Sequence, residues 1–140
     1  MYRVVRGAAV IAVIGVVGAG FAPHSAKPEP AEDGRALYAK YCASCHGRNG
    51  HGDGSVAEDL RIRPADLTQL ARPNRGLLPA EQMRRVIDGR DPRVRSHGTL
   101  EMPVWGDAFV KREGLSEAAA RARIEAIIRY LDSIQERSGH

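Results

Sequence analysis

The sequence predicts an all-α domain with about three main helices and additional short helical turns. Three segments, residues 31–45, 79–88 and 116–135, repeat apolar side chains every three to four positions, which is the period of an amphipathic helix. No strand–helix–strand pattern accompanies them. The chain has 140 residues, a length that suggests one domain with an additional segment at its N-terminus.

The first predicted helix, residues 31–45, has Glu32 and Asp33 in its opening turn, where carboxylates interact favourably with the positive end of the helix dipole. A glycine inside a helix costs about 1 kcal/mol relative to alanine, so Gly34 indicates a position where another backbone approaches closely. One face of this helix consists of Gly34, Leu37, Tyr38 and Tyr41.

The end of this segment carries the pentapeptide Cys42-Ala43-Ser44-Cys45-His46. Two thiols three positions apart lie about one helical turn apart, so both can form thioether bonds with the vinyl groups of one haem. His46 follows directly and is then placed beneath the iron, where a neutral imidazole nitrogen can serve as an axial ligand. Because Cys42 and Cys45 are the only cysteines, a four-cysteine cluster and a disulfide framework are excluded.

Three other interpretations of the pentapeptide are open at this point. Cys42, Cys45 and His46 with His51 could supply four zinc ligands, although the second ligand pair that zinc sites usually have at a distance is missing. A thioredoxin-like redox pair would require a βαβ pattern around it. A simple disulfide between the two cysteines is possible, but it does not explain His46.

The composition favours a haem and disfavours nucleic acid. Phe, Trp and Tyr make up only 5% of the chain, so a core of this size is poor in rings and a buried haem would supply the missing apolar mass. Two of the 21 basic residues, Arg3 and Arg6, precede residue 23, which leaves 19 basic against 17 acidic residues in 23–140. This near-balance lacks the concentrated basic face of a nucleic-acid-binding protein.

Residues 47–63 form a turn-rich loop with glycines at four positions. The loop lacks the preceding strand and the following Lys-Ser/Thr of a phosphate-binding loop, so a nucleotide site is not expected. Pro64-Ala65-Asp66-Leu67 closes the loop and starts a short helix that reaches Leu70.

The middle helix is predicted over residues 79–88, with Pro79 at its first position and Gly89 at its C-terminal cap. Its apolar face consists of Met83, Val86 and Ile87. Three arginines lie mostly outside this face and are expected to form an ordinary solvated surface: Arg84, Arg85 and Arg90.

Met102 directly precedes Pro103, and proline disfavours a helical conformation in the residue before it. Its thioether is therefore presented from an extended, rigid segment. The last helix is predicted over residues 116–135, with Ser116 as its N-cap. Its apolar side chains repeat every three to four positions: Ile124, Ile127, Ile128, Leu131 and Ile134.

Residues 1–22 are predicted to be a signal peptide. Arg3 and Arg6 form a positive n-region, and 16 uncharged, mostly apolar residues follow at positions 7–22. This run is shorter than the ~20 residues that span a bilayer, so cleavage is favoured over an uncleaved membrane anchor. Residues 23–30 are a linker and residues 31–137 the domain, which we expect to be periplasmic, with membrane attachment only if the leader is retained.

Taken together, these motifs resemble a class I c-type cytochrome over residues 32–137. In that family, a glycine and an aromatic residue precede the haem motif and pack where the first helix crosses the last one. Gly34 and Tyr38 have the corresponding positions here, and Ile127 and Tyr130 resemble their partners on the last helix. A Met-Pro pair lies between the middle and last helices, as Met102-Pro103 does here. The stretch His51-Gly52-Asp53-Gly54 and the Pro-Ala-Asp-Leu segment that follows it are similar to those of several exported bacterial members.

The resemblance implies one covalently attached haem c with its iron. Cys42 and Cys45 would form the thioethers, His46 would be the proximal ligand and Met102 the distal one, with the carbonyl of Pro64 accepting the imidazole N–H. Met83 is expected to be a core residue. His97 is an alternative sixth ligand that would give bis-histidine coordination.

The expected function is transport of single electrons between redox partner proteins that dock transiently, without enzymatic activity. With His46 and Met102 both bound, the iron has no open position for oxygen or peroxide. One alternative is a cytochrome subunit of a multi-subunit dehydrogenase or terminal oxidase. A haem enzyme or gas sensor with a labile Met102 is another. Trp105 and Phe109 are expected to pack near the haem.

Overall fold

The computed structural model describes residues 33–91 and 102–136, which are helical and contain no β-strand. The predicted signal peptide, the linker and His97 lie outside the described residues. No helix within the described part of the chain is both long and apolar enough to cross a bilayer. The α-helices are α1 (Gly34–Tyr41), α2 (Ala43–His46), α3 (Ala80–Asp88), α4 (Trp105–Asp107) and α5 (Glu117–Ser133).

The predicted first helix is divided in two at Cys42, which differs from the single helix predicted over residues 31–45. Asp33 caps α1 by accepting a hydrogen bond from the backbone N–H of Arg35 at 2.9 Å. Cys42 departs from ideal helical geometry, with φ −117° and ψ −33°, and α2 starts at the next residue. The backbone N–H of His46 donates to the Cys42 carbonyl at 2.9 Å, and this hydrogen bond closes the single turn of α2.

The crossing of α1 over α5 organises the fold. Gly34 packs so closely on α5 that a Cβ at this position would overlap the carbonyl oxygen of Ala126. The rings of Tyr38 and Tyr130 meet at the same crossing, with their centroids 5.0 Å apart. The predicted close backbone approach at Gly34 and the contact with Tyr130 are therefore confirmed.

The core lies between α5 on one side and α1 and α3 on the other. The middle helix runs from Ala80 to Asp88, so Pro79 is its N-cap rather than its first residue as predicted. Gly89 is its C-cap, as predicted, with a φ of 71° that favours glycine. Met83 is buried at 8% exposure, as predicted. The buried cluster consists of Leu37, Tyr38, Met83, Ile87, Phe109, Ala120, Ile124, Ala126, Ile127, Ile128 and Leu131.

A helical segment that the sequence did not reveal follows Pro103. Helix α4 continues into a π-helical turn, Ala108–Arg112, which buries Phe109 completely. The last helix then begins after Ser116, whose hydroxyl accepts a hydrogen bond from the backbone N–H of Ala119 at 3.1 Å. The predicted N-cap of α5 is thereby confirmed.

Candidate haem-binding site

A cavity of about 520 Å³ lies between α1, α3, α5 and the segment that begins at Met102. It brings together the four candidate site residues predicted from the sequence: Cys42, Cys45, His46 and Met102. The other walls are mostly apolar, and they include Leu60, Leu67, Leu70, Val86, Ile87, Trp105, Ile127 and Leu131. A cavity of this volume falls within the ~300–1,000 Å³ that ligand and cofactor pockets occupy.

The two thiols are placed at this cavity by the junction of α1 and α2. Cys42 is the hinge between the helices, and Cys45 lies one turn later on α2. Burial, reinforced by the neighbouring Cys45, raises the pKa of the Cys42 thiol to about 12. The free thiol is therefore neutral at physiological pH, and it faces the cavity.

His46 is oriented by a hydrogen bond from the loop that follows it. Its Nδ1 lies 3.0 Å from the carbonyl oxygen of Ala65, 19 residues further along the chain. Because a carbonyl only accepts, Nδ1 carries the proton and Nε2 keeps a free lone pair. Burial lowers the pKa of His46, with the Ala65 hydrogen bond opposing this effect, so the imidazole is held in the neutral form that ligates iron.

The carbonyl of Pro64 was expected to accept the hydrogen bond from His46, and this prediction was wrong by one residue. Pro64 instead packs against Gly52, where a Cβ would overlap the Pro64 carbonyl oxygen. Gly52 has a φ of 74°, and its backbone N–H donates to the His46 carbonyl at 2.9 Å. The Pro64 carbonyl is thus packed against Gly52, and the carbonyl that faces the imidazole is that of Ala65.

The glycine-rich loop is fastened to the first helix pair by buried hydrogen bonds. The Tyr38 hydroxyl donates to the Gly47 carbonyl at 2.7 Å, and burial raises the pKa of this phenol, which keeps it a donor. The Gly54 backbone N–H donates to the Cys45 carbonyl at 3.1 Å, and the Leu67 N–H to the Gly50 carbonyl at 2.6 Å. These hydrogen bonds therefore hold the loop against the segment that carries the Cys-X-X-Cys-His motif.

On the other side of the cavity, Met102 is half-buried and precedes an extended residue, Val104, with φ −75° and ψ 91°. Trp105 lines the cavity, as expected. Its ring packs on Tyr41, with centroids 5.2 Å apart, and on Phe109 at 5.5 Å. Phe109 lies behind this layer in the core rather than at the cavity surface.

The other candidate ligands are placed differently. His51 does not line the cavity; its Nδ1 lies 3.7 Å from a carboxylate oxygen of Asp66 at the protein surface. Met83 contributes to the cavity wall as well as to the core. Within residues 33–91 and 102–136, no group of three His, Cys, Asp or Glu side chains could hold a metal ion. The described structure thus does not assemble the zinc site considered from the sequence.

Gln135 supports this site from outside the cavity, a role that the sequence did not reveal. Its buried side-chain amide donates to the carbonyls of Leu67, at 2.7 Å, and Leu131, at 2.8 Å, and its oxygen accepts from the Ala71 N–H at 2.8 Å. It fastens the end of α5 to the segment that follows Ala65. A glutamine at a helix terminus is usually exposed, so no sequence signal marked this role.

In the described residues, a helical fold places a Cys-X-X-Cys-His motif and a methionine at the same apolar cavity. This arrangement defines a c-type cytochrome domain of the class I kind. The family model described as cytochrome c oxidase, cbb3-type, subunit III matches residues 29–131, and the chain belongs to this family. Searches of curated proteins and of solved structures gave no match. The protein therefore carries covalently bound haem c with its iron, functions in electron transfer and has redox partners.

Proposed function

We propose that this protein transfers single electrons between redox partners in the periplasm, as a low-spin monohaem cytochrome with His46 and Met102 as axial ligands. The observation that carries the proposal is the meeting of Cys42, Cys45, His46 and Met102 at one apolar cavity. When bound there, haem c supplies an iron that cycles between the ferrous and ferric states.

The proposed roles of the side chains follow from their chemistry. Cys42 and Cys45 hold the haem through thioether bonds, which prevents its loss during repeated redox cycles. His46 ligates through Nε2, and the Ala65 carbonyl fixes its tautomer and ring plane. The thioether of Met102 is a soft ligand that favours iron(II) relative to a second imidazole, so His/Met ligation raises the reduction potential.

The cavity walls set the conditions for electron transfer. Apolar side chains from α3 and α5 exclude water and lower the local dielectric, which reduces the reorganisation that accompanies a change of iron charge. Ile62 lines the same cavity and is 59% exposed, so this side of the cavity reaches the protein surface. A c-type domain with both axial positions filled is typical of an electron carrier rather than of an enzyme. Redox partners would dock transiently at the side of the cavity where Ile62 is exposed, through the small interfaces that are typical of redox encounters.

The proposed periplasmic location rests on residues 1–22, whose two arginines and apolar run are typical of an export signal. Thioether formation is compatible with an oxidising compartment, where unprotected cysteines would form disulfides. Sequencing the N-terminus of the mature protein tests this proposal. A protein recovered only from membranes, with Met1 intact, would support a retained anchor.

A second candidate function is that of a haem subunit in a terminal oxidase complex. It is favoured by the description of the matching family, cytochrome c oxidase, cbb3-type, subunit III. Size-exclusion chromatography of the native protein separates the two functions. A free carrier elutes near its own mass of 15.2 kDa or, with the leader removed, somewhat below it, whereas a subunit co-elutes with a larger assembly.

The spectrum of the holoprotein tests the proposed ligands. Wild type should show sharp low-spin bands with a far-red sulfur-to-iron charge-transfer band, and Met102→Ala and Met102→His should both lack the far-red band. Low-spin bands without the far-red feature, unchanged by either substitution, would instead favour a different sixth ligand such as His97. Carbon monoxide binding to ferrous wild type at neutral pH would favour a haem enzyme or gas sensor.

A further inference from the structure

Arg90 connects the end of α3 to the beginning of α5 through two carboxylates. Its Nε and one terminal nitrogen donate to the two oxygens of Asp88, both at 2.7 Å. Its other terminal nitrogen donates to both oxygens of Glu117, at 2.9 and 3.0 Å. Forked arginine–carboxylate bonds of this kind fix orientation as well as position. Arg90 is therefore exposed, as the sequence suggested, but it is also paired with carboxylates at the ends of two helices.

The segment that begins at Met102 rests directly on this arginine bridge. A Cβ at Gly106 would lie 2.5 Å from Arg90 Nε and 2.8 Å from an oxygen of Asp88. Val104 packs in the same way on Gly89, where a Cβ would lie 3.2 Å from the Val104 Cα. Val104 and Gly106, which follow Met102 closely in the chain, therefore pack against residues 88–90.

The two halves of the bridge differ in their exposure to solvent. The Asp88 side chain is 21% exposed and that of Arg90 is 31% exposed, whereas that of Glu117 is 51% exposed, so solvent screens the Asp88 half of the bridge less than the Glu117 half. The hydrogen bond from Arg90 lowers the pKa of Asp88, which keeps its carboxylate charged at neutral pH. Arg90 is protonated at all physiological pH values, so both members of its pair with Asp88 are charged.

We propose that Arg90 is a positioning residue for Met102: by bridging Asp88 and Glu117 beneath Gly106, it holds residues 102–106 in place and keeps the thioether at the haem cavity. This inference rests on the proposed function, in which Met102 is the distal ligand. Arg90 itself does not line the cavity. It acts on the iron only through the backbone that carries Met102.

The chain provides a matched control at Arg84. This residue also connects α3 to α5, through hydrogen bonds to Glu81 and Glu125, and its side chain is 37% exposed. Both of its carboxylate partners lie on α3 and α5. Replacing either arginine with glutamine removes one interhelical bridge, but only Arg90→Gln removes the support under Gly106.

The test compares holoprotein of wild type, Arg90→Gln and Arg84→Gln by far-red absorbance, carbon monoxide binding and reduction potential. In Arg90→Gln we expect a weaker far-red band, a lower potential and tighter carbon monoxide binding to the ferrous form. A tenfold larger fraction of detached Met102 raises the apparent affinity about tenfold, because apparent Kd varies inversely with the competent fraction. Arg84→Gln should match wild type in all three. Equal effects of the two substitutions would overturn the proposal.

Gly106→Ala approaches the same contact from the opposite side. Alanine favours a helix more than glycine does, so this variant should fold, yet its Cβ must displace Arg90 or Asp88. We expect the same weakening of the far-red band as in Arg90→Gln. An unchanged far-red band would show that the contact of Gly106 with Arg90 and Asp88 does not position Met102.

Hydrogen exchange distinguishes failure of this inference from failure of the proposed ligand. The backbone N–H of Ala108 donates to the Val104 carbonyl at 2.9 Å, so exchange in a peptide spanning 102–109 reports the seating of this segment. Faster exchange in Arg90→Gln than in Arg84→Gln supports the positioning role even if wild type lacks a far-red band. Equal exchange in the two variants, with a wild-type far-red band present, would overturn the inference alone.

Discussion

The two sides of the haem cavity are held by different kinds of connection. On one side, His46 lies within four residues of both cysteines on a single turn of helix, and the Ala65 carbonyl fixes its ring. On the other side, Met102 depends on the seating of residues 104–106 against residues 88–90. Local covalent attachment makes the histidine side robust, whereas the methionine side depends on packing and ion pairs between distant segments.

The largest effect is expected from removing the covalent connection on the histidine side. A Cys42→Ala/Cys45→Ala double variant should retain no haem on denaturing gels, because both thioether bonds are absent. The large apolar cavity would then have nothing to fill it, and the protein should not fold stably. Haem staining and far-UV circular dichroism measure these two losses.

Ser44→Ala is the matched control for the double variant, because Ser44 is exposed between the two cysteines. It should keep full haem staining and wild-type helicity. Covalent haem in the double variant would contradict the thioether assignment. It would also mean that covalent attachment through Cys42 and Cys45 does not make the His46 side of the cavity more robust than the Met102 side.

A second prediction concerns the helix crossing that supports the histidine side. Gly34→Ala places a methyl group against the Ala126 carbonyl, and a backbone atom cannot move aside as a side chain can. Overpacking of this kind should lower the free energy of unfolding by about 3 kcal/mol. Denaturant unfolding of the holoprotein measures the change, with Ala39→Ser on the exposed face of α1 as the control.

Below the unfolding transition, Gly34→Ala should keep its far-red band, because the crossing lies away from the Met102 segment. A bleached band in native Gly34→Ala would mean that strain at α1 reaches the methionine side. The two sides would then be coupled more closely than their separate connections indicate.

Gln135→Leu should weaken the support of the Ala65 segment. The substitution removes three hydrogen bonds and leaves the Leu67 carbonyl and the Ala71 N–H without their partner at a buried position. We expect the free energy of unfolding to fall by about 2 kcal/mol. The far-red band should persist, since the change is on the histidine side. Thermal unfolding and absorbance of the same sample measure both.

The neighbouring Glu136→Gln provides the control for Gln135→Leu, because Glu136 is exposed and its backbone N–H still donates to the Thr68 carbonyl. It should lose little stability. If Gln135→Leu is no less stable than Glu136→Gln, the buried amide does not fasten the loop as described.

The sequence predicted best what depends on neighbouring residues. The pentapeptide Cys42–His46 and the N-cap at Ser116 are each encoded within a few positions. The close approach at Gly34 was also predictable, because a glycine in a helix is costly without a packing reason. For these features, local chemistry limits the possible structures to one or two.

The sequence did not predict features that depend on how separate segments meet. Choosing between the carbonyls of Pro64 and Ala65 requires the path of the loop at Gly52. The sequence places Arg84 within the middle helix and Arg90 just after it, both outside its apolar face, and only the fold places Arg90 beneath Gly106. The π-helical turn at Ala108–Arg112 buries Phe109 against α1 and α5, a contact that no short window contains.

The smallest expected effect is a pH dependence confined to the methionine side. The hydrogen bond from Arg90 lowers the pKa of Asp88 relative to ~3.9 in an unfolded chain. A depressed carboxyl pKa stabilises the folded protein above the unfolded value, and this contribution is lost as the pH falls through the folded value. Far-red absorbance of wild type should therefore decline below about pH 4.

Asp88→Asn removes this titration and tests its origin. At pH 7 the variant should show a slightly weaker far-red band, from a loss of at most ~1 kcal/mol for a partly exposed pair. Between pH 5 and 3, its band should then change less than that of wild type, while the histidine side keeps the haem in both. If the two acid titrations coincide, other carboxylates control the methionine side and the Arg90 bridge does not determine its pH dependence.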